Sequence, residues 1–418
     1  MSGIRPETVR VLHGLTGAAG QPWTVSRAQR RLGLKADCVC LRTSPYAYGS
    51  DYRLESEDRM SDFLAEAGDR YDVFHLYFRP FFFRSSETLA FPTALDLLAL
   101  RAAGKVVVFH YRGSEARTAE RFRELSPFHY VDEDPCRLFS KFPTAVVDAL
   151  RDYITGVSNV VLVPDPELQT YVPGSQIVPR AIDLSEWGHV GVPDDESPLV
   201  VHAPSRRAVK GTDAILQAVS DLKAEGLKFR FRLVENLTNQ EARDVYRQAS
   251  IMVDQLRIGW YGVFAVEGMA LGKAVVSYIR DDLRHHVDGP SPLWIANPNT
   301  IRDALRRLIT DGPARREVGA RGRLWCEQVH DSDRVAATLW DVYRRQLAFP
   351  ARVSVQACLR YFTVQAAYTK KAFKKSFGQF HGLRLVRLLQ EARRFFGQYG
   401  LIGGVRRGVR IFYGRPTR

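Results

Sequence analysis

The sequence predicts an α/β fold of two parallel-sheet domains facing each other across a cleft, followed by a basic helical tail. Three observations carry this. Buried strands alternate with helices from Thr8 to Pro179, the alternation restarts at Leu199, and the excess positive charge falls after position 350. Strands buried on both faces need helices on both sides, which is the arrangement of a parallel sheet.

In the first half, Thr8 to Leu15 (TVRVLHGL) reads as a strand ending near Gly14, and the small-residue loop TGAAGQP, with Gly17 and Gly20, follows it. A polar helix around Ser26 to Leu32 and a strand over Ala36 to Leu41 come next. The glycines do not have the dinucleotide-binding spacing, and no acid closes the second strand. What remains is the general rule that the loop after a first strand lies at the sheet's carboxyl edge, where ligands bind. Tyr71 to Tyr77 and Lys105 to Tyr111 read as further strands separated by the helical pattern TALDLLALRAAG. Each places a histidine, His75 or His110, near its carboxyl end, and His110 opens the charged loop HYRGSEAR. Val160 to Val163 and Gln176 to Pro179 complete this half.

The loose, acidic stretch GHVGVPDDESP reads as a hinge. Beyond it, Leu199 to His202, Phe229 to Val234 and Ile251 to Asp254 read as strands, with helices over Lys210 to Glu225 and Gln240 to Ala249. Then comes GWYGVFAVEGMALGKAVVSYI, Gly259 to Ile279: a glycine loop, a short helix, a stop at Gly272 and a buried strand. Glu267 interrupts an apolar helix, so its carboxylate must find a partner or face a ligand. Backbone N–H groups at a helix start suit phosphate oxygens, and a carboxylate one turn in can accept from a ribose. Polar helices over Asn299 to Asp311, Pro313 to Val329 and Ser332 to Gln346 follow, the last capped by Asp331 or Ser332. The domain boundaries expected are 1–184, a hinge at 185–198, 199–330, a closing helix at 331–349, and a basic amphipathic tail at 350–418.

With 45% hydrophobic residues over 418 positions, the chain can bury two cores. The five scattered cysteines have no zinc-ribbon spacing, which argues for a reducing compartment, so the expected location is cytoplasmic. No apolar run approaches the roughly 18 residues of a spanning helix. Of 60 Lys plus Arg and 46 Asp plus Glu, 15 and one lie after position 350, leaving 45 of each sign in a neutral body. That location argues against nucleic acid as a partner, since the body shows no nucleic-acid module.

The pieces GVFAVEGMALGKAVV, IVPRAIDLSEW, VKGTDAILQAV and DALRRLITDGPARREVGARGR, in this order, resemble the retaining glycosyltransferases of family 4, over roughly residues 8 to 347. The resemblance implies the GT-B fold, two Rossmann-like domains facing across a cleft. It also implies a donor site in the second half for a nucleotide-diphosphate sugar. The ribose would lie on Glu267 and the phosphates on Lys210, Arg206 and the backbone of Gly262, Val263 and Phe264. The acceptor, a surface glycan or a polyprenyl-linked lipid, would lie near Gly14, Gly17, Gly20 and His110, with His110 positioning or polarising. Transfer would proceed with retention, without metal or cofactor, and Asp281-Asp282 would be a solvated helix cap. Where the family has its earlier glutamate, this chain has Gly259, and Ser205 stands at the usual arginine, with Arg206 and Arg207 beside it as the two candidates to replace it. The tail's Lys370, Lys371, Lys374, Lys375, Arg384, Arg387, Arg393 and Arg394 alternate with Leu, Phe and Tyr. That pattern suits an interfacial helix on an anionic membrane, at the inner face of the cell membrane. Two competing readings are a binding protein on a catalytically altered fold and a sugar-nucleotide epimerase.

Overall fold

The computed structural model describes residues 3–41, 48–55, 59–78, 94–133 and 143–377. The N-terminal sheet contains β1 (Arg10–Gly14), β2 (Lys35–Leu41), β3 (Tyr52–Leu54), β4 (Val73–Leu76), β5 (Val106–His110), β6 (Val160–Val163) and β7 (Gln176–Ile177). All pair in parallel, in the order β3-β2-β1-β4-β5-β6-β7. Every residue of β4, β5 and β6 is buried, as expected for strands covered on both faces. The cover comes from α1 (Gln21–Arg31), α2 (Arg59–Arg70), α3 (Leu95–Ala102), α4 (Ala119–Leu125), α5 (Thr144–Val157) and α6 (Pro166–Gln169).

The second sheet contains β8 (Leu199–His202), β9 (Arg230–Leu233), β10 (Ile251–Val253), β11 (Ala274–Ser277) and β12 (Trp294–Ile295), in the parallel order β12-β11-β10-β8-β9. Its helices are α7 (Arg207–Lys210), α8 (Thr212–Ala224), α9 (Asn239–Gln248), α10 (Val263–Ala270), α11 (Ile301–Thr310) and α12 (Gly312–Trp325). The strand order reverses between β1 and β4 in the first sheet and between β8 and β10 in the second. In open α/β sheets a ligand crevice forms outside the strand ends at such a reversal.

The chain crosses between domains twice, side by side. The Ile182 N–H donates to the His330 carbonyl at 2.8 Å, and the Ser332 N–H donates to the Ile182 carbonyl at 2.9 Å. After the second crossing, α13 (Ser332–Ala348), capped by Asp331, packs Val335, Leu339, Val342 and Tyr343 into the N-terminal core with Val11, Val73 and Val108. The beginning of the basic tail is docked as well. In α14 (Val355–Phe377), Cys358 and Tyr361 are fully buried against α5, and the Tyr361 and Tyr153 rings stack at 4.5 Å. Lys370, Lys371, Lys374 and Lys375 lie on α14, whereas Arg384, Arg387, Arg393 and Arg394 lie outside the described residues. Among the described residues no helix is long and apolar enough to cross a membrane.

Candidate functional site

A cleft of about 710 Å³ opens between the carboxyl edges of the two sheets, lined from both domains. Its C-terminal wall is built on a buried carboxylate. Asp254 directly follows β10 and is 1% exposed, so its charge needs partners. It has two. Lys210 Nζ donates to Asp254 Oδ1 at 2.7 Å and also to Gln255 Oε1 at 2.7 Å. The Gly262 N–H donates to Asp254 Oδ2 at 2.5 Å. One carboxylate thereby fixes both the lysine at the end of α7 and the loop that starts α10. A Cβ on Gly262 would stand 3.1 Å from Lys210 Nζ and 3.1 Å from Asp254 Oδ2, so glycine lets the two clamps share one acid.

Helix α10 begins at Val263 with Gly262 as cap and no side chain on its first N–H groups. Val263 and Phe264 line the cleft, so those orphan donors and the positive end of the helix dipole face it. Tyr246 of α9 supports the turn edge-on, its ring 4.9 Å from that of Phe264. Glu267, one turn on, also lines the cleft, and among the described residues nothing hydrogen-bonds its carboxyl. Burial pushes its pKa up to about 8, against the pull of Arg243 and Lys210. Arg206, exposed at the start of α7, lines the same wall. The lysine of the motif, Lys273, is buried away from the cleft, its Nζ donating to the Gly191 and Arg247 carbonyls at 2.7 Å each.

The N-terminal wall is formed by the loop after β1, including Gly17, and by four arginines: Arg53, Arg112, Arg117 and Arg180. Gly14 ends β1 packed against Val39, and Gly20 caps α1; neither lines the cleft. His110 does not line it either. It is 2% exposed, with Nδ1 3.1 Å from His75 Nε2, whose Nδ1 is 2.6 Å from the Tyr343 hydroxyl. Burial holds both histidines well below the ordinary range, so they are neutral. Arg112, two residues on, takes the cleft position, with Nη1 3.5 Å from His110 Nε2 and its guanidinium 5.6 Å from the Tyr77 ring centre.

Gly259 also lies outside the lining. Its φ is +97°, and a Cβ there would meet Arg280 Cβ at 3.1 Å, so this backbone path excludes a glutamate at the position. Asp281 and Asp282, expected to be a solvated helix cap, are exposed in the first turn of a 3-10 helix, and Asp282 also takes two bonds from Arg280, at 2.6 and 2.9 Å. Sequence reasoning missed Asp254, Arg53 and Arg180, and noted Arg112 only as part of the charged loop that His110 opens. The signals within reach were that loop and the position of Asp254 directly after a buried strand. Among the described residues no group of three or more His, Cys, Asp or Glu side chains is placed to hold a metal ion.

The two-domain arrangement is the GT-B fold. No protein-family model matches the chain, and no curated protein matches it in sequence. Solved structures do match it in shape. Sucrose-phosphate synthase from Thermosynechococcus elongatus superposes with a TM-score of 0.55 at 14% identity, over 81% of this chain and 99% of that one. A glycosyltransferase from Rickettsia africae gives 0.54 at 9% identity, over 82% and 99%. Anabaena HepE, solved in complex with UDP-glucose, gives 0.53 at 10% identity, over 80% and 99%.

Proposed function

We propose that the protein transfers a sugar from a nucleotide-diphosphate donor to a glycan or lipid-linked acceptor, with retention of anomeric configuration and without a metal. The observation that carries this reading is the clamp of Lys210 and Gly262 on Asp254, which aims an ammonium group and the start of α10 into the same cleft as the unpartnered Glu267. Loss of a sugar leaves a diphosphate whose new charge must be neutralised. Lys210, Arg206 and the α10 amides do this with groups already in place. Glu267 accepts from the ribose hydroxyls. HepE, of the same fold, binds UDP-glucose, which supports a sugar nucleotide as the ligand here.

Retention is read here as a same-face displacement and not as a double displacement through a covalent intermediate. The cleft's carboxylates among the described residues, Glu235 and Glu267, are both on the nucleotide wall. Among the described residues the acceptor wall thus offers no carboxylate nucleophile for a covalent intermediate. Attack on the same face as the leaving diphosphate, whose oxygen takes the acceptor's proton, gives retention. His110 acts as a positioning residue beneath Arg112. The tail supports attachment to the inner face of an anionic membrane, at about 1 kcal/mol per basic residue at the surface.

The test is incubation with UDP, GDP, dTDP and ADP sugars and candidate acceptors, scoring free nucleotide. Release with one donor is expected, falling at least tenfold in Lys210→Ala. Silence across the panel sinks the proposal, and conversion of the sugar nucleotide without transfer assigns epimerisation instead. For the tail, flotation with liposomes that depends on anionic lipid is expected; binding that ignores lipid charge overturns the membrane assignment.

A further inference from the structure

Among the described residues the acceptor wall holds more positive charge than its own carboxylates neutralise. Arg117 is engaged by Glu167 through two bonds, at 2.9 and 2.5 Å, and Arg180 by Asp165 at 2.7 Å. Among the described residues no carboxylate lies within ion-pairing distance of the Arg53 or Arg112 guanidinium. The acid nearest Arg112 in sequence, Glu115, is turned to the backbone instead, accepting from the N–H groups of Arg112 and Gly113. This fixes the loop while leaving the guanidinium on Tyr77 and His110, neither of which supplies negative charge. Burial and the proximity of Arg180 bring the Arg112 pKa down to about 10, a penalty that a bound anion would relieve.

We propose that Arg112 and Arg53 bind an anionic group, a phosphate or carboxylate, on the acceptor. Naming the ligand an acceptor rests on the transferase reading above; the anion site itself does not. A guanidinium matches both anions with two parallel N–H donors, and such charge-assisted pairs are among the stronger hydrogen bonds. The donor's diphosphate already has Lys210, Arg206 and the α10 amides on the opposite wall, so this second set of cations serves a second anion. The acceptor is then a phosphorylated or acidic sugar, or a lipid with a phosphate headgroup, and the reaction that supplies it is a phosphorylation or an oxidation to a uronic acid.

Calorimetric titration of the full chain, saturated with UDP, tests this with inorganic phosphate, glucose 6-phosphate, glucuronic acid, water-soluble dihexanoyl phosphatidic acid and neutral glucose as probes. At least one anionic probe is expected to bind more tightly than glucose. Arg112→Gln and Arg53→Ala are each expected to weaken it about tenfold or more while leaving the UDP affinity within about twofold of wild type. Arg53, on the exposed edge, serves if Arg112→Gln does not fold. The preferred probe distinguishes a soluble sugar from a lipid headgroup. Equal binding of glucose and every anion, or anion binding that both variants leave unchanged, overturns the proposal. So does a loss of UDP affinity in Arg112→Gln as large as that in Arg206→Ala, which would assign these arginines to the donor. Anion binding without any nucleotide binding would overturn the donor reading alone.

Discussion

Glu267 is a carboxyl group kept in an unfavourable place for its charge, and that conflict can be measured. Its folded pKa of about 8 exceeds the ordinary value of 4.5, so above pH 8 the empty protein holds a poorly solvated carboxylate. Between pH 4.5 and 8 the folded state binds the extra proton, and this residue's contribution to stability falls as pH rises. Glu267→Gln is therefore expected to stabilise the empty protein at pH 8.5 by about 1 kcal/mol, a Tm rise of roughly 1 °C. The same change is expected to cost at least tenfold in nucleotide affinity, because the ribose loses a charged acceptor. A calorimetric melt and a UDP titration on the one variant check both signs. A variant that loses stability and keeps its affinity would mean that Glu267 is a structural acid. Gly262→Ala probes the other clamp: a methyl group 3.1 Å from Lys210 Nζ and Asp254 Oδ2 pries them apart. Nucleotide affinity should fall severalfold with the fold kept, which circular dichroism and the same titration report.

At the scale of elements, the Gly259 to Gly262 turn is set by backbone geometry and not by the family pattern it resembles. With φ at +97° and Arg280 Cβ in the way, Gly259→Glu is expected to destabilise the chain by about 1–3 kcal/mol and to gain no activity. Urea unfolding and the donor assay check this; a stable, more active variant would mean that the turn can reach the family's geometry. The strands of four or five buried residues, such as β4, β5 and β8, were legible because a short, β-branched, largely apolar run bounded by turn and helix signals suits a strand covered on both faces. The three-residue β3 and two-residue β12 are too short to show a period. Lys210, Gly262 and Glu267 were legible because each sits in a motif whose chemistry is local. Arg53 lies within β3, Arg112 two residues past β5 and Asp254 directly after β10, and only folding brings them to the walls of one cleft. His110 shows the limit: a histidine closing a strand reads as a cleft residue, but β5 is buried throughout and the cleft begins at Arg112. The tail was read as basic amphipathic, and the pattern could not show that its first helix spends Cys358 and Tyr361 on α5. Tyr361→Ala should cost about 3 kcal/mol in urea unfolding, as for other buried aromatics.

Across the whole molecule the two domains are joined by a latch as well as by the chain crossings. Arg257, in the loop between Asp254 and Gly262, donates to the Phe128 and His129 carbonyls at 2.9 and 2.8 Å and to both Glu133 oxygens at 2.5 and 2.6 Å. Its removal should open the cleft, raising the radius of gyration in solution scattering and lowering turnover more than nucleotide affinity. Acid should act on a different set of groups. Burial lowers the pKa of His13, His202 and His330 to about 4 and holds His75 and His110 well below 6.5. Unfolded, all five take up protons near pH 6.5. Between pH 6.5 and 4 the unfolded chain thus binds about five protons more than the folded one, and stability falls with pH at roughly 1 kcal/mol per histidine per unit. Glu267, and the buried Glu167 whose pKa burial also raises, work in the opposite direction, but they are two protons against five. The net slope is therefore positive, and the urea midpoint should drop sharply between pH 7 and pH 5.5. A midpoint that stays level over that range would mean that the buried histidines are already charged, and the neutral bed beneath Arg112 would have to be abandoned.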